Sequence, residues 1–329
     1  MNSHTRWLIH TVALTVSVTV GVSVANKWLF VDPVFGPPPL PLAEGTETLI
    51  VGASHSSRSF NPKDFRNAQS IAAVGELVFF TKEKVRAVID QNPDVRTVVM
   101  SISPISISSK QDSMQNYALV DYYGVLGSAA REAVSGWNRP YVLSMLKYEV
   151  GMPLSFADDA RLYVHFVRSS LSPDDFPFWG GYRPQGGNHI EVDDVNRDLS
   201  FSFYNVDVSK GSKTIRPVST AAIANIKGIA QFLSQRGIRL ILVRTPKYLP
   251  FKRGTPAVFL DAFKTMVEAI LRDYAGVEYY DCSEDVLDPS LFMDPDHLNT
   301  AGSAYFSPRF AARIALATTA ALPMRSALR

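Results

Sequence analysis

Short runs of β-branched residues alternate with stretches of helical composition at both ends of this chain. That alternation limits the open folds more than any other feature. Glu47 to Gly52 reads as a strand, Gln69 to Ala73 as a short second one, and Arg96 to Ser103, "RTVVMSIS", as a third. Thr81 to Asp90 between them is helical in composition, and Pro93 closes it. The rhythm returns with a helix from Ser219 to Gln235 that Gly237 ends, then a strand from Ile238 to Arg244. A helix from Pro256 to Tyr274, closed near Gly276, and a strand from Val277 to Asp281 follow. A last helical stretch runs from about Thr300 to Leu322. Pro308 interrupts it, either as a kink or as the first residue of a new helix capped by Ser307. Strands that alternate with helices imply an α/β fold, with a mainly parallel central sheet covered by helices on both faces.

The middle, at about 110–214, breaks this rhythm. It holds helical pieces, "LGSAAREAV" and "ADDARLYVHFVRSSL", and a Gly- and Pro-rich stretch, "DDFPFWGGYRPQGGN". It reads as a helical and loop insertion on the sheet. Residues 46–329 then form one domain, ample in length for a buried core.

Ahead of that domain, Trp7 to Ala25 carries no Asp, Glu, Lys or Arg. As a helix it would span about 28 Å, close to the hydrocarbon thickness of a bilayer. Its Thr and Ser hydroxyls are tolerable there because they can bond back to their own helix. Residues 1–31 read as an uncleaved transmembrane signal anchor. The alternative is a secretory signal peptide, since Ser23-Val24-Ala25 is a small-x-small site. Both readings carry the rest of the chain across the cytoplasmic membrane, to the periplasmic or extracellular side. Residues 32–45, with "FGPPPLPL", read as a semi-rigid linker.

Charge narrows the function. Thirty-three Lys and Arg face 31 Asp and Glu, so nothing argues for a nucleic-acid partner. One cysteine, Cys282, excludes zinc sites built on Cys pairs. There is no Gly-rich phosphate loop, and neither His189 nor any carboxylate cluster has metal-ligand spacing. The expectation is an activity without cofactor or metal. His165, in an apolar helical stretch, reads as a core histidine.

In open α/β sheets, ligands bind beyond the carboxyl ends of the strands. Ser54 lies just past the first strand, and the small Gly52 and Ala53 let the chain turn sharply and expose its hydroxyl. A Ser hydroxyl needs a His to take its proton and a carboxylate to orient that His. "LFMDPDHLNTAG", residues 291 to 302, offers Asp294 and His297 three apart on a turn stiffened by Pro295, just before a helix. Asp296 is the other candidate orienter, but as the immediate neighbour of His297 it is expected to point away.

Gly-x-Ser near the N-terminus with Asp-x-x-His near the C-terminus resembles the SGNH (GDSL-like) hydrolase superfamily. Its membrane-tethered branch includes the alginate O-acetylation and lipoteichoic acid D-alanylation proteins. The resemblance covers roughly residues 46 to 108 and 217 to 317, and Asp294-Pro295-Asp296-His297-Leu298-Asn299 is its most specific piece. It implies a three-layer sandwich with Ser54 as nucleophile, His297 as base and Asp294 as orienter. It also implies an oxyanion hole built on the N–H groups of Ser54 and Gly75, with Ser103 or Ser106 as a third donor. Two positions depart from the pattern: Ala53 stands where the first block usually has Asp, and "SISPISIS" lacks the third block's Asn.

His55 reads as a substrate-contacting wall residue. Arg58 reads as a surface ion pair, with the binding of an anionic substrate group as the alternative. Trp179, Tyr182 and Arg183 could stack on and bond a sugar, or simply anchor a surface loop. The resemblance points to a membrane-anchored esterase or O-acetyltransferase. Its partners would be a polysaccharide or other O-acylated glycan and a membrane-bound acyltransferase. The competing reading is a non-catalytic binding subunit of an envelope or polysaccharide assembly machine.

Overall fold

The computed structural model describes residues 3–26, 28, 42–112, 180–188, 190–207 and 211–320. The chain divides into two units, Met1–Pro39 with Asn116–Phe178, and Leu40–Gln115 with Trp179–Arg329. In the first, the described part is essentially helix α1, Ser3–Asn26, which is long and apolar enough to cross a membrane. Its hydroxyls bond back to the helix as anticipated: Thr15 Oγ1 donates to Thr11 O at 2.9 Å and Thr19 Oγ1 to Thr15 O at 2.8 Å. The helical pieces expected at "LGSAAREAV" and "ADDARLYVHFVRSSL", including His165, lie outside the described residues, as do Trp179 and His189.

The second unit is built on a five-stranded parallel sheet. Its strands are β1 (Thr48–Val51), β2 (Ala68–Ser70), β3 (Thr97–Ser101), β6 (Arg239–Arg244) and β7 (Val277–Asp281), in the order β2-β1-β3-β6-β7. Register places Ile50 beside Val99, and Val99 beside Ile241. The central strands are buried almost end to end, as a sheet covered on both faces requires. Side-chain alternation then divides the core. Ile50, Val99, Ile241 and Val243 pack with Phe292, Phe306 and Phe310 in one apolar cluster. The opposite face, with Leu49, Val98, Leu240 and Leu242, belongs to the other helical layer.

That other layer is α3 (Val78–Gln91), α5 (Thr220–Gln235) and α7 (Ala257–Asp273). Helix α3 packs on α5, α5 on β6 and α7 on β7. Ser219 caps α5 by accepting from Ala222 N–H at 2.9 Å. The first layer is α8 (Thr300–Ala320), which runs unbroken through Pro308. Ser307, the alternative cap, is instead buried and accepts the Asn61 backbone N–H at 2.9 Å. Asn299 caps α8 through its Oδ1, bonded to Gly302 N–H at 2.9 Å.

The described part of 110–214 contributes helix α4 (Val192–Phe203) and an antiparallel hairpin, β4 (Tyr204–Asp207) with β5 (Ser212–Ile215). Two short helices complete the unit: α2 (Ser54–Ser59) after β1, and α6 (Leu249–Gly254) after β6.

Candidate active site

The candidate site opens where α/β sheets place it, at the carboxyl ends of β1 and β3. The turn out of β1 needs Gly52, whose φ of +109° an L side chain rarely adopts. A Cβ there would also stand 3.0 Å from Ser56 Oγ. Ser56 ties the turn to β3: its Oγ accepts from Ser101 N–H at 2.9 Å and bonds Ser101 Oγ at 2.7 Å. Ser54 follows as the first residue of α2, facing a cavity of about 320 Å³.

Asp294 and His297 arrive from the other end of the chain. The sequence places them on a turn leading into a helix; the structure inserts two short strands, β8 (Phe292–Asp294) and β9 (His297–Leu298), before α8 begins. Asp294 pairs across from His297 in that ladder, so the three-residue spacing becomes a direct side-chain contact. His297 Nδ1 lies 2.8 and 3.0 Å from the two Asp294 carboxylate oxygens, and its Nε2 lies 2.8 Å from Ser54 Oγ. A carboxylate only accepts, so Nδ1 carries the proton and Nε2 accepts from the Ser54 hydroxyl. Burial would raise the Asp294 carboxyl, but the His297 hydrogen bond and charge outweigh it and hold the group below its ordinary value.

A second polar chain lies against this one. His55 Nε2 is 2.9 Å from Asp296 Oδ2, and Lys247 Nζ is 2.6 Å from Asp296 Oδ1 and 2.8 Å from its carbonyl. Burial lowers His55 to about 4, against the pull of Asp296, so the ring is neutral at pH 7 and donates through Nε2–H. Burial also lowers Lys247, with Asp296 opposing it. Burial alone would raise Asp296; His55 and Lys247 hold it well below the usual carboxylate range. As expected, Asp296 does not orient His297. Sequence reasoning weighed it only as an orienter, and missed Lys247 altogether, because a lone Lys after a strand resembles any surface cation.

Arg58 is no exposed surface cation. Its side chain is 12% exposed and lines the cavity, with Nη1 3.7 Å from Asp294 Oδ2. Gly75 lines the cavity too, at φ +78°. Its turn is braced from below by buried Glu76, which accepts from Thr81 Oγ1 at 2.7 Å and pairs with the Lys84 ammonium. Ser103 does not line this cavity. It faces a small void beside Arg244 and Phe251, because the 3₁₀ turn Pro104–Ile107 carries the chain back and leaves Ser106 on the cavity wall.

Tyr182 and Arg183 are likewise absent from the wall. Tyr182 Oη sits 2.9 Å from Ser303 Oγ, and Arg183 N–H donates to Ser57 O at 2.8 Å. Their segment is anchored against α2 and α8 by these bonds. The remaining wall includes Lys110, its ammonium 3.0 Å above the Phe201 ring and pushed down to about 8 by burial, and Asp198, raised by burial and by Asp294.

His55, Asp296 and His297 offer potential ligand atoms within 4.8 Å of one another. Their directions suit hydrogen bonding better than a cation. The Lys247 ammonium already faces Asp296, His297 Nε2 faces Ser54, and the two rings lie face to face rather than converging. The arrangement can do proton transfer at a hydroxyl: an oriented imidazole beside a Ser Oγ.

No family model matches this chain, and no curated protein does. Among solved structures it is similar to one from Streptococcus pneumonia provisionally named a platelet activating factor. The two share 10% sequence identity at a TM-score of 0.38, over 96% of this chain and 100% of that chain.

Proposed function

We propose that this chain is a serine acyl-transfer enzyme of the SGNH kind, held in the cytoplasmic membrane by α1 with its second unit on the extracytoplasmic side. The observation that carries the reading is the hydrogen-bonded line from Ser54 through His297 to Asp294 at the end of β1. In this reading Ser54 Oγ attacks an ester carbonyl while His297 Nε2 takes its proton. The oxyanion rests on the N–H groups of Ser54 and Gly75, with Ser106 in place of Ser103 as the nearby hydroxyl. The C–O bond then breaks, His297 returns the proton to the leaving alcohol, and the acyl group stays on Ser54. Attack by water would regenerate the enzyme as an esterase. Attack by a sugar hydroxyl would make it an O-acyltransferase, which fits an O-acylated envelope or exopolysaccharide glycan as substrate and a membrane-bound acyltransferase as partner.

The test is release of p-nitrophenol from p-nitrophenyl acetate by the full chain in detergent. Ser54→Ala and His297→Ala should each lose at least about 10³-fold in kcat while unfolding like wild type. Turnover that survives in folded Ser54→Ala would overturn the reading. Folded wild type that binds an acetylated glycan yet turns over neither it nor the ester would favour a binding subunit instead.

A further inference from the structure

Two neighbouring residues of α2 each reach a residue of the turn 294–297, some 240 positions away. Ser54 reaches His297 at 2.8 Å, and His55 reaches Asp296 at 2.9 Å. Beside these links the His55 and His297 rings stack, with centroids 4.6 Å apart and planes within 16°. His55 is 8% exposed and its Asp296 partner is held in turn by Lys247, so this ring has little freedom. The turn is pinned again where Tyr248 N–H donates to Pro295 O at 3.1 Å.

We propose that His55 is a positioning residue for His297: the face of its imidazole keeps the base in line between Ser54 and Asp294, and its own orientation is fixed by Asp296 and Lys247. The inference rests on the acyl-transfer reading above. The geometric reason is that Asp294 fixes His297 only at Nδ1. A ring held at one edge can tilt about that bond, and tilting moves Nε2 away from the hydroxyl. The flat face of His55 removes that freedom. A misplacement near 1 Å costs on the order of 100-fold in rate. Neutrality matters as well, because the base becomes an imidazolium during the reaction, and a charged ring stacked on it would oppose that step. The charged and titratable groups that face His55 are Asp296, Lys247 and His297.

The decisive variant is His55→Gln in the full chain. The Gln amide keeps a donor for Asp296, so the fold is preserved while the stacked face is lost. Expected are an unfolding midpoint near that of wild type, kcat lower by about 10- to 100-fold and KM within about twofold. Asp294 keeps the His297 proton on Nδ1 in both proteins, so nitrogen NMR of the imidazoles should show the His297 Nε2 signal move in the variant from its hydrogen-bonded position toward that of a free imidazole nitrogen. His55→Phe, which restores a flat face, should recover part of kcat. Wild-type kcat and an unmoved His297 Nε2 signal in His55→Gln would overturn the proposal. If the variant does not fold, wild type decides: His55 must stay neutral at pH 5.5, and a ring that titrates there like a free histidine overturns the proposal. Loss of turnover in Ser54→Ala and His297→Ala without loss in His55→Gln would sink the positioning role alone. Turnover surviving in Ser54→Ala would sink the acyl-transfer reading.

Discussion

At the scale of single residues, the site sets histidines of different character face to face. His55 is lowered to about 4 by burial, so the folded chain refuses a proton that the unfolded chain accepts near 6.5. The sign follows. As pH falls below about 6.5 the unfolded state gains a proton, and stability drops until the folded ring is itself protonated near 4. The drop attributable to His55 is up to about 3 kcal/mol. Asp296 acts lower on the scale: its stabilisation is present above the ordinary carboxylate value and is lost progressively as pH falls from that value through the lower folded one. Denaturant midpoints between pH 7 and pH 4.5 should therefore decline in wild type and decline less in His55→Gln, and equal slopes would refute the assignment.

Legibility at this scale was uneven. Ser54, Asp294 and His297 could be singled out because a Ser past a strand end and an Asp-x-x-His spacing fit a known chemical pattern, and the structure brings the three together. His55, Asp296 and Lys247 could not be linked, because their bonding depends on a turn geometry that no spacing encodes.

At the scale of elements, small polar braces hold the loops around the candidate site. The Gly75 turn depends on a buried pair, Glu76 with Lys84, in which the ammonium also donates to Ile71 O at 2.6 Å. Burial lowers Lys84, and Glu76 opposes that shift. Removing one partner of such a pair strands the other charge, so Lys84→Met should cost about 3–5 kcal/mol. Urea unfolding would measure it, and a loss below about 1 kcal/mol would show that the pair is not a brace.

Strand limits were readable where glycines punctuate. Val277–Asp281 coincides with its expectation, and the stretch expected to reach Ala73 keeps its bonds to β1 that far, with Ala73 N–H on Gly52 O at 2.9 Å. The tiny β8–β9 ladder was not readable, since two or three residues carry no periodicity to detect.

At the scale of the whole molecule, the parallel α/β architecture followed from alternation alone. The strand order depends on long-range pairing and did not. The N-terminal helix makes its own prediction. In flotation with phospholipid vesicles, the full chain should rise with the lipid, whereas residues 40–329 should stay with the dense fraction at neutral pH. Flotation of both would place the membrane contact elsewhere than α1.

The links between α2 and the 294–297 turn also bear on time. Ser54 and His297 are 243 positions apart, so nearly the whole chain must emerge before the two can meet. Contacts this distant along the chain bear a loop-closure cost that local helices avoid. During synthesis the Ser54 hydroxyl therefore stays without its His297 partner, chemically an ordinary alcohol. In the acyl-transfer reading proposed above, reactivity would arise late, once the 294–297 turn has closed against α2.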